Sequence, residues 1–219
     1  MAKLREGILG GLSGAVGTVV GGRWRDVDYI RSKPAIVRNP NTEAQQAQRK
    51  RFALMIRLMK RIRLYINEGF ALETERRTPM NNAMSVNLKN AIQGTFPDFE
   101  IRFPDLMVAR GDLKKPAGAG VEVTPPDTVT FSWTDNSGRA SAKASDIALA
   151  LIINYDSDDL EYDIENHTRA DASLTLQVPP EWYGDTLECY LAFKSEDGAE
   201  VSNSVYLGSV VVEDPEGSG

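Results

Sequence analysis

The hydrophobic period of this chain changes at Gly94, and that change limits what it can fold into. From about Glu43 to Asn67 the apolar residues recur with a helical period. At about 100° per residue, Phe52, Leu54, Met55, Leu58, Met59, Ile62, Tyr65 and Ile66 fall on one arc. Arg49, Lys50, Arg57, Lys60, Arg61 and Arg63 fall on the opposite arc, and Arg51 alone intrudes among the apolar residues. Asn39-Pro40-Asn41-Thr42 supplies the turn before this helix, and Thr42 with Gln45 fits a capping box. Gly69 fits a C-terminal cap. A second helix is predicted from Thr78-Pro79, with threonine as N-cap and proline at the first helical position, to about Gln93, where Gly94 stops it.

Past Gly94 the period falls to two. Phe96–Phe103 alternates, and Lys114–Gly120 reads as a linker. Six short β segments follow: Thr128–Trp133, Ile147–Tyr155, Glu161–Glu165, Ser173–Val178, Leu187–Lys194 and Val201–Val212. Asp135-Asn136-Ser137-Gly138, Pro179-Pro180 and Glu196-Asp197-Gly198 are turns between them. That spacing predicts an antiparallel β-sandwich of the immunoglobulin or fibronectin type. Leu187, Cys189, Leu191 and Phe193 share one face, and Trp133 suits the sandwich core. With one cysteine in the chain, the sandwich is free of disulfides.

The first 22 residues carry seven glycines. Thr18–Val37 reads as two short strands around the polar turn Arg25–Asp28, closed by Pro34. The expected fold is therefore α+β: a glycine-rich β-hairpin and two helices, then the sandwich. The expected organisation is a basic region 1–94, a connecting strand and linker 95–120, an acidic sandwich 121–213 and a flexible tail 214–219. Lys3 and Arg5 precede an apolar stretch as in a secretion signal, but glycines break it and no A-x-A site follows. The reading is of synthesis in the cytoplasm without cleavage. No apolar run is long enough for a membrane span.

Charge separates the same two parts. Residues 1–90 carry a net +10 and residues 91–219 a net −16, which the overall −6 conceals. Such asymmetry points to self-association, nucleic acid or a membrane surface as partner, and not to a fold.

Gly11-Leu12-Ser13-Gly14-Ala15-Val16-Gly17-Thr18-Val19-Val20-Gly21, Arg31-Ser32-Lys33-Pro34, and Asn39-Pro40-Asn41-Thr42 with Gln45–Arg49 carry a resemblance. So do Val129–Asn136 and Val201–Gly208. In these segments the chain resembles an uncharacterised bacterial family, a domain of unknown function. The resemblance implies a glycine-rich and helical N-terminal part joined to an immunoglobulin-like part, and it implies no activity.

The residues give little for catalysis. The glycine run lacks the G-K-[ST] of a phosphate loop and the βαβ unit of a dinucleotide site. His167 has no second histidine or cysteine near it to complete a metal site, and no G-x-S-x-G elbow exists. Cys189 between Leu187 and Leu191 reads as an inert core thiol. The expectation is no enzyme, no cofactor and no metal. Asp156, Asp158, Asp159, Glu161, Asp163 and Glu165 read as a solvated or edge-protecting face, or as a docking strip for a basic partner. Arg23, Arg25 and Arg31, interleaved with Trp24 and Tyr29, join the basic helix as candidate interaction residues. Such a surface suits a subunit interface, phosphate contacts with base stacking, or simple solvation. The leading expectation is a structural protein, a virion, filament or surface-layer component, whose basic part meets the acidic part of the next copy. Nucleic-acid binding is the alternative, and a glycan-active or glycan-binding protein a third reading.

Overall fold

The computed structural model describes residues 3–4, 11–24, 27–34, 40–71, 78–124 and 127–214. The chain divides into two compact units, Met1–Thr42 and Glu43–Gly219. Arg25 lies outside the described residues, as do Arg5 and all of the expected tail beyond Asp214.

The first unit is a meander of four antiparallel strands rather than one hairpin. They are β1 (Lys3–Leu4), β2 (Leu12–Val16), β3 (Val19–Trp24) and β4 (Val27–Ser32), hydrogen-bonded in that order. Gly17, at φ +53°, sits in the two-residue turn joining β2 to β3. A Cβ on Gly21 would lie 2.1 Å from the Leu12 carbonyl oxygen, so only glycine lets the strands approach there.

The second unit begins with α1 (Glu43–Arg61), α2 (Arg63–Gly69) and α3 (Pro79–Asn90). The single helix predicted from Glu43 to Asn67 is interrupted at Ile62 (ψ +20°), although Ile62 and Ile66 keep their helical hydrogen bonds to Leu58 and Ile62. Gly69 is not the cap: it ends α2, and its missing side chain admits the Val108 carbonyl, which a Cβ would meet at 2.4 Å. Thr78 does cap α3, its Oγ1 accepting the Asn81 N–H at 3.2 Å, with Pro79 in the first turn. α3 stops at Asn90 rather than Gln93, because Ile92–Thr95 (β5) turns into a hairpin with Asp98–Ile101 (β6). Gly94, at φ +88°, serves that hairpin.

The sandwich is built from β7 (Ala117–Thr124), β8 (Thr128–Thr134), β9 (Ile147–Asn154), β10 (Asp159–Asp163), β11 (Ser173–Gln177), β12 (Thr186–Lys194) and β13 (Val205–Val211). One sheet has the order β10-β9-β12-β13 and the other β11-β8-β7. This three-plus-four antiparallel arrangement is the fibronectin type III and immunoglobulin-like topology expected from the period-two segments, with a seventh strand, β7, which takes Ala117–Gly120 out of the expected linker because the segment pairs with β8. Val129, Phe131, Trp133 and Leu174 face Ala148, Ala150, Ile152, Leu187, Cys189, Leu191 and Phe193 across its core.

The division of the chain differs from the expected one. β9 is apolar on both faces, and its second face, Leu149, Leu151 and Ile153, joins Tyr190 and Ala192 of β12 in a core with Met55, Leu58, Met59, Ile62, Tyr65 and Ile66. The helices therefore form a third layer on the four-stranded sheet, and no boundary falls at 94–120. Each such side chain contributes about 1.5–3 kcal/mol by burial. Segment 106–109 is sewn into this layer by the buried Asn87, whose Oδ1 accepts Met107 N–H and whose Nδ2 donates to Met107 O, both at 2.8 Å.

Candidate interaction surfaces

The N-terminal sheet buries almost nothing. Across β2, β3 and β4 only Gly21 is buried, and all of β4 is exposed. Cross-strand register assigns the faces, since opposed residues point the same way. Leu12, Val16, Val19 and Ile30 lie on one face with Arg23 and Asp28. Ala15, Val20, Trp24, Val27, Tyr29 and Arg31 lie on the other. Ile30 and Trp24, each 65% exposed, thus stand on opposite faces. Tyr29 lies across Gly22, where a Cβ would meet its hydroxyl at 2.9 Å. Of the expected basic and aromatic residues here, Trp24, Tyr29 and Arg31 are brought together, and Arg23 points away from them.

The basic arc of α1 is largely engaged inside its own unit. Arg57 and Arg61 both pair with Asp158, which sits at φ +63° in the β9–β10 turn. Arg51 lies over the Phe99 ring at 4.6 Å, and Lys50 donates to Pro97 O at 3.4 Å. Arg49, with Gln45, Gln48 and Phe52, lines a shallow groove of about 480 Å³. Lys60 and Arg63 are exposed. For Arg57, Arg61 and Asp158, the basic-to-acidic contact expected between copies is made within one chain. The α1 helix and the β9–β10 turn belong to one compact unit, so the two charges meet without a second copy.

The acidic run is split in the same way. β10 is an edge strand, and Asp159, Glu161 and Asp163 alternate along it with Leu160 and Tyr162, which pack on the helix-facing core. Edge carboxylates discourage strand addition. Burial, and then the Asp159 charge, hold the Glu161 carboxyl above its usual range. The expected common face of Glu161, Asp163 and Glu165 does not form, because the strand ends at Asp163. Asp163 instead turns inward and accepts the N–H groups of Glu165 and Asn166 at 3.0 Å, while its other oxygen meets His167 Nδ1 at 2.7 Å. Burial raises the Asp163 carboxyl, but these hydrogen bonds outweigh it and hold the group below its usual range. Asp156 and Glu165 are exposed.

Two clusters had no sequence signal. Arg169 is completely buried, donating from Nε to Asp146 Oδ2 at 3.0 Å, from Nη2 to Lys114 O at 2.9 Å and from Nη1 to Asn136 Oδ1, with its guanidinium 3.8 Å from the Phe193 ring centre. Burial lowers its pKa, and Asp146 opposes that. On the other side, a groove of about 480 Å³ is lined by Asn90, Asp105, Met107, Ser204 and Tyr206. Tyr206 donates to Glu188 Oε2 at 2.6 Å, and burial with this acceptor pushes the phenol up to about 12. Asp105 in this groove is paired with Arg102 at 3.0 Å. Neither cluster aligns a nucleophile with a base, and among the described residues no group of three or more His, Cys, Asp and Glu could hold a metal ion. No described helix is long and apolar enough to cross a membrane.

A family model described as a family of unknown function (DUF6266) matches residues 11–208, spanning both compact units. The chain belongs to the DUF6266 family. The resemblance read from the glycine-rich and Val129–Asn136 segments is thus to this family. No curated protein matches the chain. Among solved structures it is similar to the fn3 domain of human collagen alpha-1(XX) chain, at 14% identity and TM-score 0.36, covering 48% of this chain and 90% of that one. It is also similar to the fn3 domain of human contactin 1, at 10% identity and TM-score 0.34, covering 50% and 85%.

Proposed function

We propose that this DUF6266 chain is a non-enzymatic structural protein that self-assembles through its N-terminal sheet. One observation carries the reading: a four-stranded sheet exposes large apolar side chains on both faces, Val16 and Ile30 on one, Trp24, Val27 and Tyr29 on the other. A sheet with two apolar faces is the middle of three layers. One chain's remainder can cover one face at most, so the other is met by a second copy. Contacts of that kind propagate where they do not close, as a filament, virion or surface-layer subunit requires. Sedimentation velocity tests it. Wild type should form concentration-dependent oligomers, and Trp24→Glu with Ile30→Lys should be monomeric with an unchanged circular dichroism spectrum. A wild type that stays monomeric at high micromolar concentration overturns the reading.

Trp24, Tyr29 and Arg31 on one face of a unit with net charge +4 favour a second reading, a stacking platform for single-stranded nucleic acid. Gel shift with a single-stranded oligonucleotide would then show binding that weakens steeply with salt. No shift at low salt rejects it.

A further inference from the structure

Two of the strands that end a sheet among the described residues, β10 and β4, are built differently. β10 ends its sheet with the carboxylates of Asp159 and Glu161, an edge charge of one sign, while Asp163 turns inward. β4 ends the N-terminal sheet with Val27-Asp28-Tyr29-Ile30-Arg31-Ser32, in unbroken register with β3, with no bulge, no proline and charges of both signs. Lys33 N–H donates inward to Thr18 O at 2.7 Å. Antiparallel bonding alternates, so the odd residues of β4 bond to β3, and the N–H and C=O groups of Asp28, Ile30 and Ser32 point outward.

We propose that β4 pairs antiparallel with β4 of a second copy, about a two-fold axis through Ile30. This rests on the self-assembly reading and names its seam. A two-fold axis perpendicular to the sheet keeps each face continuous, so only residues of like parity oppose one another. Centred on Ile30, the outward groups form the hydrogen-bonded pairs Asp28–Ser32, Ile30–Ile30 and Ser32–Asp28, about six backbone hydrogen bonds. Their side chains agree. The Asp28 carboxylate meets a serine hydroxyl, Ile30 meets itself, and on the other face Tyr29 meets Arg31, a cation–π pair. A register centred on Tyr29 instead sets Asp28 against Ile30 and Val27 against Arg31, with fewer outward groups paired. The product is one sheet of eight strands whose two apolar faces have doubled in area.

The full chain with Ile30→Cys tests this directly. A hydrogen-bonded pair holds its Cα atoms about 5.5 Å apart, within disulfide range. The native Cys189 is buried, with its thiol pushed up to about 12, and does not compete. Under mild oxidation Ile30→Cys should cross-link into a dimer at least about tenfold faster than Val27→Cys, whose copies lie far apart in this register. Ile30→Pro removes only an outward N–H and should abolish the dimer with the circular dichroism spectrum unchanged. If the wild type oligomerises but Ile30→Cys cross-links no faster than Val27→Cys and Ile30→Pro still assembles, the seam is refuted and assembly through the faces stands. If the wild type is monomeric, both fail together.

Discussion

Arg169→Met removes the most heavily bonded buried charge in the chain. The guanidinium has no exposed surface and donates to a carboxylate, an amide oxygen and a backbone carbonyl while lying over Phe193. Methionine fills much of the same volume but leaves Asp146 buried with the Lys143 N–H on Oδ2 and no hydrogen-bond partner on Oδ1. Stripping one partner from a buried ion pair costs about 3–5 kcal/mol. For a unit of this size that lowers the melting temperature by about 6–20 °C. The assay is urea unfolding followed by circular dichroism, at pH 7, on wild type, Arg169→Met, Asp146→Leu and the double variant. Because the double variant buries no unpaired charge, the two single losses should exceed it in sum, with a coupling of about 1–3 kcal/mol. A single variant within about 0.5 kcal/mol of wild type, the range of ordinary surface substitutions, refutes the reasoning.

A fragment of residues 120–213 should not fold as a sound domain, because it exposes Leu149, Leu151, Ile153 and Tyr190; strong binding of an apolar dye or aggregation is expected, and a sharp two-state melt would contradict it. Gly69→Ala gains about 1 kcal/mol of helix propensity yet should destabilise, since the new Cβ lies 2.4 Å from the Val108 carbonyl oxygen; a melting temperature at or above wild type would refute this. Asp163 has a depressed carboxyl pKa, so its stabilising contribution is present above the ordinary carboxylate range and is lost as pH falls through that range and below. Asp163→Asn should therefore destabilise at pH 7 and be near neutral in strong acid, and an equal effect at both, read by urea unfolding, would contradict the sign.

The sandwich was legible because alternation reports a sheet with one buried face. Leu187, Cys189, Leu191 and Phe193 alternate, and all four line the core between the sheets. The third layer was legible too, in a signal easily passed over. Ile147–Ile153 does not alternate, and an unbroken apolar strand is one buried on both faces. The boundary near residue 94 was read from the change of period and of charge there, whereas the compact units divide after Thr42. Strand β2 was hidden by its composition, since Gly14 lies in it and Gly11 and Gly17 flank it, and glycine is depleted from strands. Nothing local could have revealed the Arg169 network. Its partners Asp146, Asn136 and Lys114 lie 23, 33 and 55 residues away, joined only by the sandwich topology. The charge asymmetry was visible, but which charges meet within the chain depended on the β9–β10 turn placing Asp158 beside Arg57 and Arg61.

The most direct test of the central claim is hydrogen exchange of the full chain, followed by mass spectrometry across protein concentrations. The amides of Asp28, Ile30 and Ser32 face outward from β4. In a lone copy they exchange with solvent, and in an assembled one they are bonded or covered. The account predicts that the peptide spanning Val27–Ser32 gains protection as concentration rises, while peptides from α1 and β9 do not change. Fast exchange of that peptide at every concentration would contradict it.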